Sequence, residues 1–180
     1  MLALTLNLKL MALSIFLFLA ALTLNEWLFA GSEFVRGINW IYLPAGMRLV
    51  CTLLFGGAGA LGVLLASALA TVFYYFPGDL PRALTDACVS AAAPYLVYLL
   101  AQRLFGLQAS LVNLSARRLL WLTLAYALEA PLMQHAVYWL RGDAGATLAG
   151  LAVMFVGDLL GSVLVLAAIK LALVFVPHRR

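Results

Sequence analysis

Charge is what this sequence has least of. Its 180 residues include eleven Lys or Arg and seven Asp or Glu, 10% of the chain, against 66% apolar side chains. Soluble domains average about 25% charged and about 45–50% apolar residues. So few charges cannot cover the surface that a domain of this length leaves in water without large apolar patches. A soluble domain is excluded. Disorder is excluded by the same numbers, because disordered chains are poor in apolar residues. A mean hydropathy of +1.08 describes a chain whose solvent is lipid.

Other absences narrow the function. Histidine and cysteine each occur twice, and no CxxC, HExxH or GxxxxGKS/T pattern is present. The usual zinc, redox and phosphate-loop signatures are therefore missing. Cys51 and Cys88 lie in apolar stretches and read as small buried hydrophobes. The net charge of +4 is mostly loop and tail charge, which reports topology rather than a nucleic-acid partner. Ser67, Ser90 and Ser162 fall on small-residue helix faces with no nucleophile–base arrangement. Neither an enzyme nor a cofactor is expected.

What remains is a series of apolar segments. The first, Leu10 to Ala30, continues through Trp27-Leu28-Phe29 with no small-x-small cleavage site, so it reads as a retained span rather than a signal peptide. The others are Leu43 to Phe55, Ala60 to Phe76, Arg82 to Phe105, Leu119 to Leu140 and Thr147 to Val176. Gly31 to Trp40 reads as a loop. A Gly-rich bend, Gly56-Gly57-Ala58-Gly59, separates the second segment from the third, and Pro77-Gly78 stops the third. The second segment is shorter than the ~20 residues a span needs. The last is long enough to require a tilt or a break near Gly157-Asp158. The expectation is one transmembrane domain over residues 1–180, an all-α polytopic bundle of about six helices.

Basic residues orient it. With the N-terminus inside, the inner side carries Lys9, Arg103, Arg117, Arg118, Arg179 and Arg180, and the outer side Arg36, Arg82 and Arg141. The outer side also holds Glu33, Asp79, Asp86 and Asp143. This bias favours an N-in, C-in topology in a multi-pass protein of a bacterial cytoplasmic (inner) membrane. Small residues mark helix contacts: Ala58, Gly62, Ala66 and Ala70 repeat at four-residue spacing, and Gly157 with Gly161 forms a GxxxG. Their expected neighbours lie within the chain, with a second copy as the alternative.

Six polar residues stand out in apolar segments: Glu26, Arg48, Glu129, Gln134, His135 and Asp158. Ionisable groups at such depth are costly, so each is a functional or a pairing candidate. Under the N-in topology they fall in the outer half or near the midplane. One reading pairs Arg48 with carboxylates by bidentate hydrogen bonds. The other is an outward-open pocket in which Arg48 grips an anionic group of a small-molecule ligand. Glu129, His135 and Asp158 lack tight ligand spacing, and no metal is expected.

The run Asn39-Trp40-Ile41-Tyr42-Leu43-Pro44-Ala45-Gly46-Met47-Arg48, continuing to Leu54-Phe55-Gly56-Gly57, resembles the signature of the MASE-type family of bacterial membrane-associated sensor domains, first class. That family begins its second helix with a W-x-P-A/S-G-like element, followed by an apolar run and a Gly. The related sensor region of hexose-phosphate-responsive histidine kinases has a P-x-G-x-R element, matched by Pro44, Gly46 and Arg48. Gly157-Asp158-Leu159-Leu160-Gly161 is similar to the family's G-D-x-x-G element. The resemblance covers about residues 39–176. It implies a multi-helix input module, usually fused to a kinase or cyclase output domain and commonly built from eight helices. These 180 residues hold no output domain, so the expected role is a sensory or ligand-binding module that signals to a separate membrane or cytoplasmic protein. The alternatives are a substrate-binding subunit of a small-molecule importer and a structural subunit of a membrane complex.

Overall fold

The computed structural model describes residues 2–107, 113–143 and 145–175. Arg179 and Arg180, which contributed to the topology reading, lie outside the described residues, as does part of the connection from Gly106 to Arg118. The chain is all-α apart from one small hairpin. In order come α1 (Leu2–Phe29), a 3-10 turn (Ala30–Ser32), β1 (Glu33–Val35), β2 (Ile38–Asn39), α2 (Leu43–Ala70) with a π-helical extension (Thr71–Tyr75), α3 (Leu80–Phe105), α4 (Ala116–Arg141) and α5 (Leu148–Val174).

Local chemistry explains most boundaries. The Asp79 side chain accepts the Arg82 N–H at 3.0 Å, and a proline occupies the first turn of α3, where its missing N–H costs nothing. Ser115 and Thr147 cap α4 and α5 in the same way. Gly106 and Gly142 end α3 and α4 with positive φ, the left-handed closure that glycine adopts freely. Pro94 and Pro131 are buried inside α3 and α4, which run on through them.

Four helices are long and apolar enough to cross a membrane: Ala3–Ser32, Leu43–Tyr75, Leu80–Phe105 and Leu148–Val174. α4 is of similar length, 26 residues, but more polar. The second of these reaches its length only along the contour. Straight, its 33 residues would extend about 50 Å. Yet Tyr42, the N-cap of α2, and Tyr75, at the end of the π-helical extension, are joined hydroxyl to hydroxyl at 3.4 Å. The chain doubles back at Gly56, whose φ of 56° and ψ of −132° lie in a region closed to residues with a Cβ. Beyond the turn, Gly59 packs against the Cys51 carbonyl, and Cys51 shares a buried cluster with Val63. α2 is thus a helical hairpin with arms at 43–55 and 57–70. The first arm, about 20 Å long, is shorter than the ~30 Å hydrocarbon layer.

The expected second and third segments are the two arms of α2, separated within the expected Gly-rich bend; taken as one element they make five helices among the described residues, where about six were expected. The Gly31 to Trp40 loop contains a two-stranded antiparallel hairpin, Glu33 opposite Asn39. Of the two alternatives for the last segment, a tilt or a break, the break is absent: α5 runs through Gly157-Asp158, and its glycines admit a neighbouring backbone instead of ending the helix.

That neighbour is the stretch leading into α2. A Cβ at Gly157 would collide with the Asn39 carbonyl, and one at Gly161 with the Tyr42 carbonyl. The Tyr42 N–H donates to the Gly157 carbonyl at 3.1 Å, and Gly46 faces Gly161 and Ser162. Gly62, on the second arm, abuts the backbone of Met11 and the side chain of Ser14 on α1. Ala66 is fully buried. All these contacts lie within one chain. The main core joins Phe18 and Leu22 of α1, Leu49, Leu53 and Ala66 of both α2 arms, Val97 of α3, and Leu122 and Tyr126 of α4. Outward faces carry Phe16, Leu61, Phe73, Leu104, Trp139 and Leu171, as lipid contact requires.

Candidate functional site

The first arm of α2 begins inside the bundle. Leu43 and Pro44 are buried, and the Leu43 N–H donates to Asn25 Oδ1 of α1 at 2.8 Å. Asn25 is 1% exposed. One turn further, the Arg48 guanidinium lies 5.2 Å from the ring centroid of Phe18 on α1 and 5.3 Å from that of Tyr42.

Above Arg48 lies a polar cavity of about 50 Å³. The first arm contributes Arg48, the second Ser67, and the π-helical extension Thr71. Asp86 and Ser90 come from α3, Gln134 and Tyr138 from α4, and Asp158 from α5. Asn39 and Tyr42 close the side next to α5, and Tyr75 and Phe76 the side next to the π-helical turn. The volume has room for roughly four waters.

Its charges are incompletely met. Arg48 Nη2 donates to the Tyr42 hydroxyl at 3.3 Å, while its Nε has no partner. Asp158 is 5% exposed. It feels the field of Arg48, but among the described residues no hydrogen bond or ion pair reaches it. Asp86 is 3% exposed, with the Gln134 amide beside it and its Oδ1 unpartnered. Ser67 Oγ, fully buried, is unpartnered as well. Native interiors leave few such groups unsatisfied.

The hairpin covers one end of the cavity. Gly37, at its turn, lines the cavity and stands near Phe76 and the Tyr138 hydroxyl. Arg36 donates to the Tyr74 carbonyl at 2.7 Å and lies 4.4 Å from the Tyr74 ring centroid. Glu33 accepts the Gly37 N–H at 3.1 Å. Beside it, Arg82 bridges to Asp143 at 3.3 Å and Arg141 to Asp79 at 3.4 Å, tying the start of α3 to the end of α4 and the turn that follows.

Three of the six polar candidates meet here: Arg48, Gln134 and Asp158. The other three do not. Glu26 accepts the Tyr74 hydroxyl at 2.6 Å on the exposed side of α1. Glu129 is half-buried and outside the cavity. His135 is one residue past Gln134 and so turned by about 100°; its Nε2 lies 3.1 Å from the Thr147 carbonyl. Direct pairing of Arg48 with a carboxylate is not what the geometry shows, since no ion pair joins it to any described carboxylate. Among the described residues no group of three or more His, Cys, Asp or Glu could hold a metal.

Asp86 is the principal addition. It read as an outer topology marker because it follows Arg82 closely. Its signal was its place on a small-residue face with Ala83, Ala87 and Ser90, which packing turns inward. Asn25 was also missed, being uncharged. Cys88, expected to be buried, is exposed.

A second hollow, of about 720 Å³, lies between α4 and α5. Its walls are apolar apart from Thr123 and Lys170, so it lacks the converging polar groups of a specific site. Comparison with known families, curated proteins and solved structures finds no match.

Proposed function

We propose that this protein is a membrane ligand-binding module of sensory type, which takes a small polar molecule into the cavity around Arg48 and signals its occupancy to a separate partner protein. One observation carries the reading. Arg48, Asp86 and Asp158 converge on one roomy space and retain hydrogen-bonding capacity that no described side chain uses. Burying charge in this way is expensive, and a polar ligand offsets the cost. The MASE-like elements support the same reading. Pro44, Gly46 and Arg48 belong to the half-helix beside the cavity, and Gly157, Asp158 and Gly161 to the face of α5 that packs against it.

The topology we propose counts the two α2 arms separately. Six segments then alternate across a bacterial inner membrane with both termini inside. The cavity lies on the outer side, and the inner ends of the helices face the signalling partner.

The test is native mass spectrometry of the protein extracted from membranes of its host. Wild type carries a small-molecule adduct that Arg48→Ala and Asp158→Asn release. A wild type free of adducts, with both variants as stable as it, would point instead to a purely structural subunit.

A substrate-capturing subunit of an importer is the second reading. It is favoured by a helix that begins inside the bundle next to the cavity, a device of transport proteins. Uptake that requires co-expressed ATPase subunits would select it.

A further inference from the structure

The charge inventory of the cavity narrows its ligand. We infer that the ligand is a small zwitterion, an amine and a carboxylate on a short chain, with its carboxylate on Arg48 and its ammonium between Asp158 and Asp86. This rests on the ligand-binding reading above and specifies the ligand's chemistry.

The lining holds one guanidinium and two carboxylates, and its other polar groups are neutral hydroxyls and amides. Arg82, Arg141 and Asp143 act on Asp86 from just outside, and the first two are already bridged to Asp143 and Asp79. A simple anion would satisfy Arg48 but add a third negative charge beside Asp86 and Asp158. A simple cation would balance the net charge of these three groups but bring no acceptor for the unused N–H donors of Arg48. A zwitterion adds no net charge and supplies an acceptor and a donor at once.

Unused capacity matches on both sides. Arg48 presents five N–H donors; one meets the Tyr42 hydroxyl at 3.3 Å, the Tyr126 hydroxyl lies beside the guanidinium, and Nε has no partner. On the acid side, Asp86 Oδ1 is buried and unpartnered, and no hydrogen bond reaches Asp158 among the described residues. Val89, Ala130 and Met154 also line the cavity and offer apolar surface for a methylene stem. A space for roughly four waters suits glycine or a chain one or two methylenes longer, and excludes a sugar phosphate or a nucleotide.

The experiment uses the full chain in lipid nanodiscs, with thermal stability and calorimetric binding as readouts. The probes are glycine, β-alanine and γ-aminobutyrate as zwitterions, acetate as the anion and methylammonium as the cation. At least one zwitterion is expected to raise the melting temperature saturably, with acetate and methylammonium inert at the same concentration. Arg48→Gln and Asp158→Asn should each weaken that zwitterion by about tenfold or more, and Asp86→Asn supplies a third variant if either fails to fold. Stabilisation by acetate or methylammonium equal to the best zwitterion overturns the inference, as does silence from all three zwitterions. Silence together with an adduct in native mass spectrometry overturns the ligand class and leaves the site standing. Silence without an adduct overturns both.

Discussion

Asn25 of α1 holds the first turn of α2, its side-chain oxygen 2.8 Å from the Leu43 nitrogen. The partners are eighteen residues apart in sequence, and the helix they cap starts where water cannot replace the bond. This contact satisfies the first N–H of a half-helix that begins inside the bundle. Asn25→Ala is expected to destabilise the fold by about 1–2 kcal/mol, read as a lower melting temperature in nanodiscs. An unchanged melt would mean that the Leu43 N–H finds another acceptor.

Glycines on two faces should respond in opposite ways. A Cβ at Gly161 meets the Tyr42 carbonyl, whereas one at Gly57 meets nothing within 4 Å. Gly161→Ala should therefore cost at least about 1–3 kcal/mol and lower the yield of folded protein. Gly57→Ala should be neutral or stabilise by up to about 1 kcal/mol. Equal effects would contradict the close packing of α5 on the Asn39–Tyr42 stretch.

The reversal at Gly56 makes a third prediction. Cys51 and Val63 sit in one buried cluster only if the arms are antiparallel. In a Val63→Cys, Cys88→Ser background, a short thiol cross-linker should join positions 51 and 63. Adding Gly56→Ala, which forces a side chain into a left-handed conformation, should abolish that product. A cross-link of undiminished yield would show that the turn does not depend on glycine.

Arg48 and Asp158 should be energetically coupled although no hydrogen bond joins them. Arg48→Met removes the cation whose field Asp158 feels, and Asp158→Asn removes one of the carboxylates near Arg48, at about 1–3 kcal/mol each. The double variant should be destabilised by less than their sum, with an interaction energy of about 1 kcal/mol or more. Additive losses from a double-mutant cycle would place the two charges in independent surroundings.

Topology is open to direct labelling. A cysteine at Glu33 should react with a membrane-impermeant maleimide in intact cells, and one at Arg117 only after permeabilisation. The reverse pattern would invert the bundle and put the cavity on the cytoplasmic side.

Much of this was legible along the chain. The Gly56-Gly57-Ala58-Gly59 bend lies where the hairpin turns, and the Gly157–Gly161 pair marks a close approach. Legibility ended where helix rotation and long-range packing mattered. Gln134 and His135 are adjacent and equally polar, yet only the first reaches the cavity. Glu129, deep in a helix by position, faces away from it. Asp86, near a helix start, faces into it.

The scarcity of charge was enough by itself to place this chain in lipid and to single out Glu26, Arg48, Glu129 and Asp158, because the cost of burying an ion does not depend on the fold. The apolar runs and their glycine breaks set the helical segments, since hydrogen bonding in lipid leaves the backbone little other choice. Only the tertiary structure decided which polar groups share a space. A positive φ at Gly56 folds one helix back on itself, and the Tyr42 carbonyl seats against Gly161. The glycine bend was visible in the sequence, but how far the chain turns there and which carbonyl meets Gly161 depend on residues far apart in sequence, which no local pattern records.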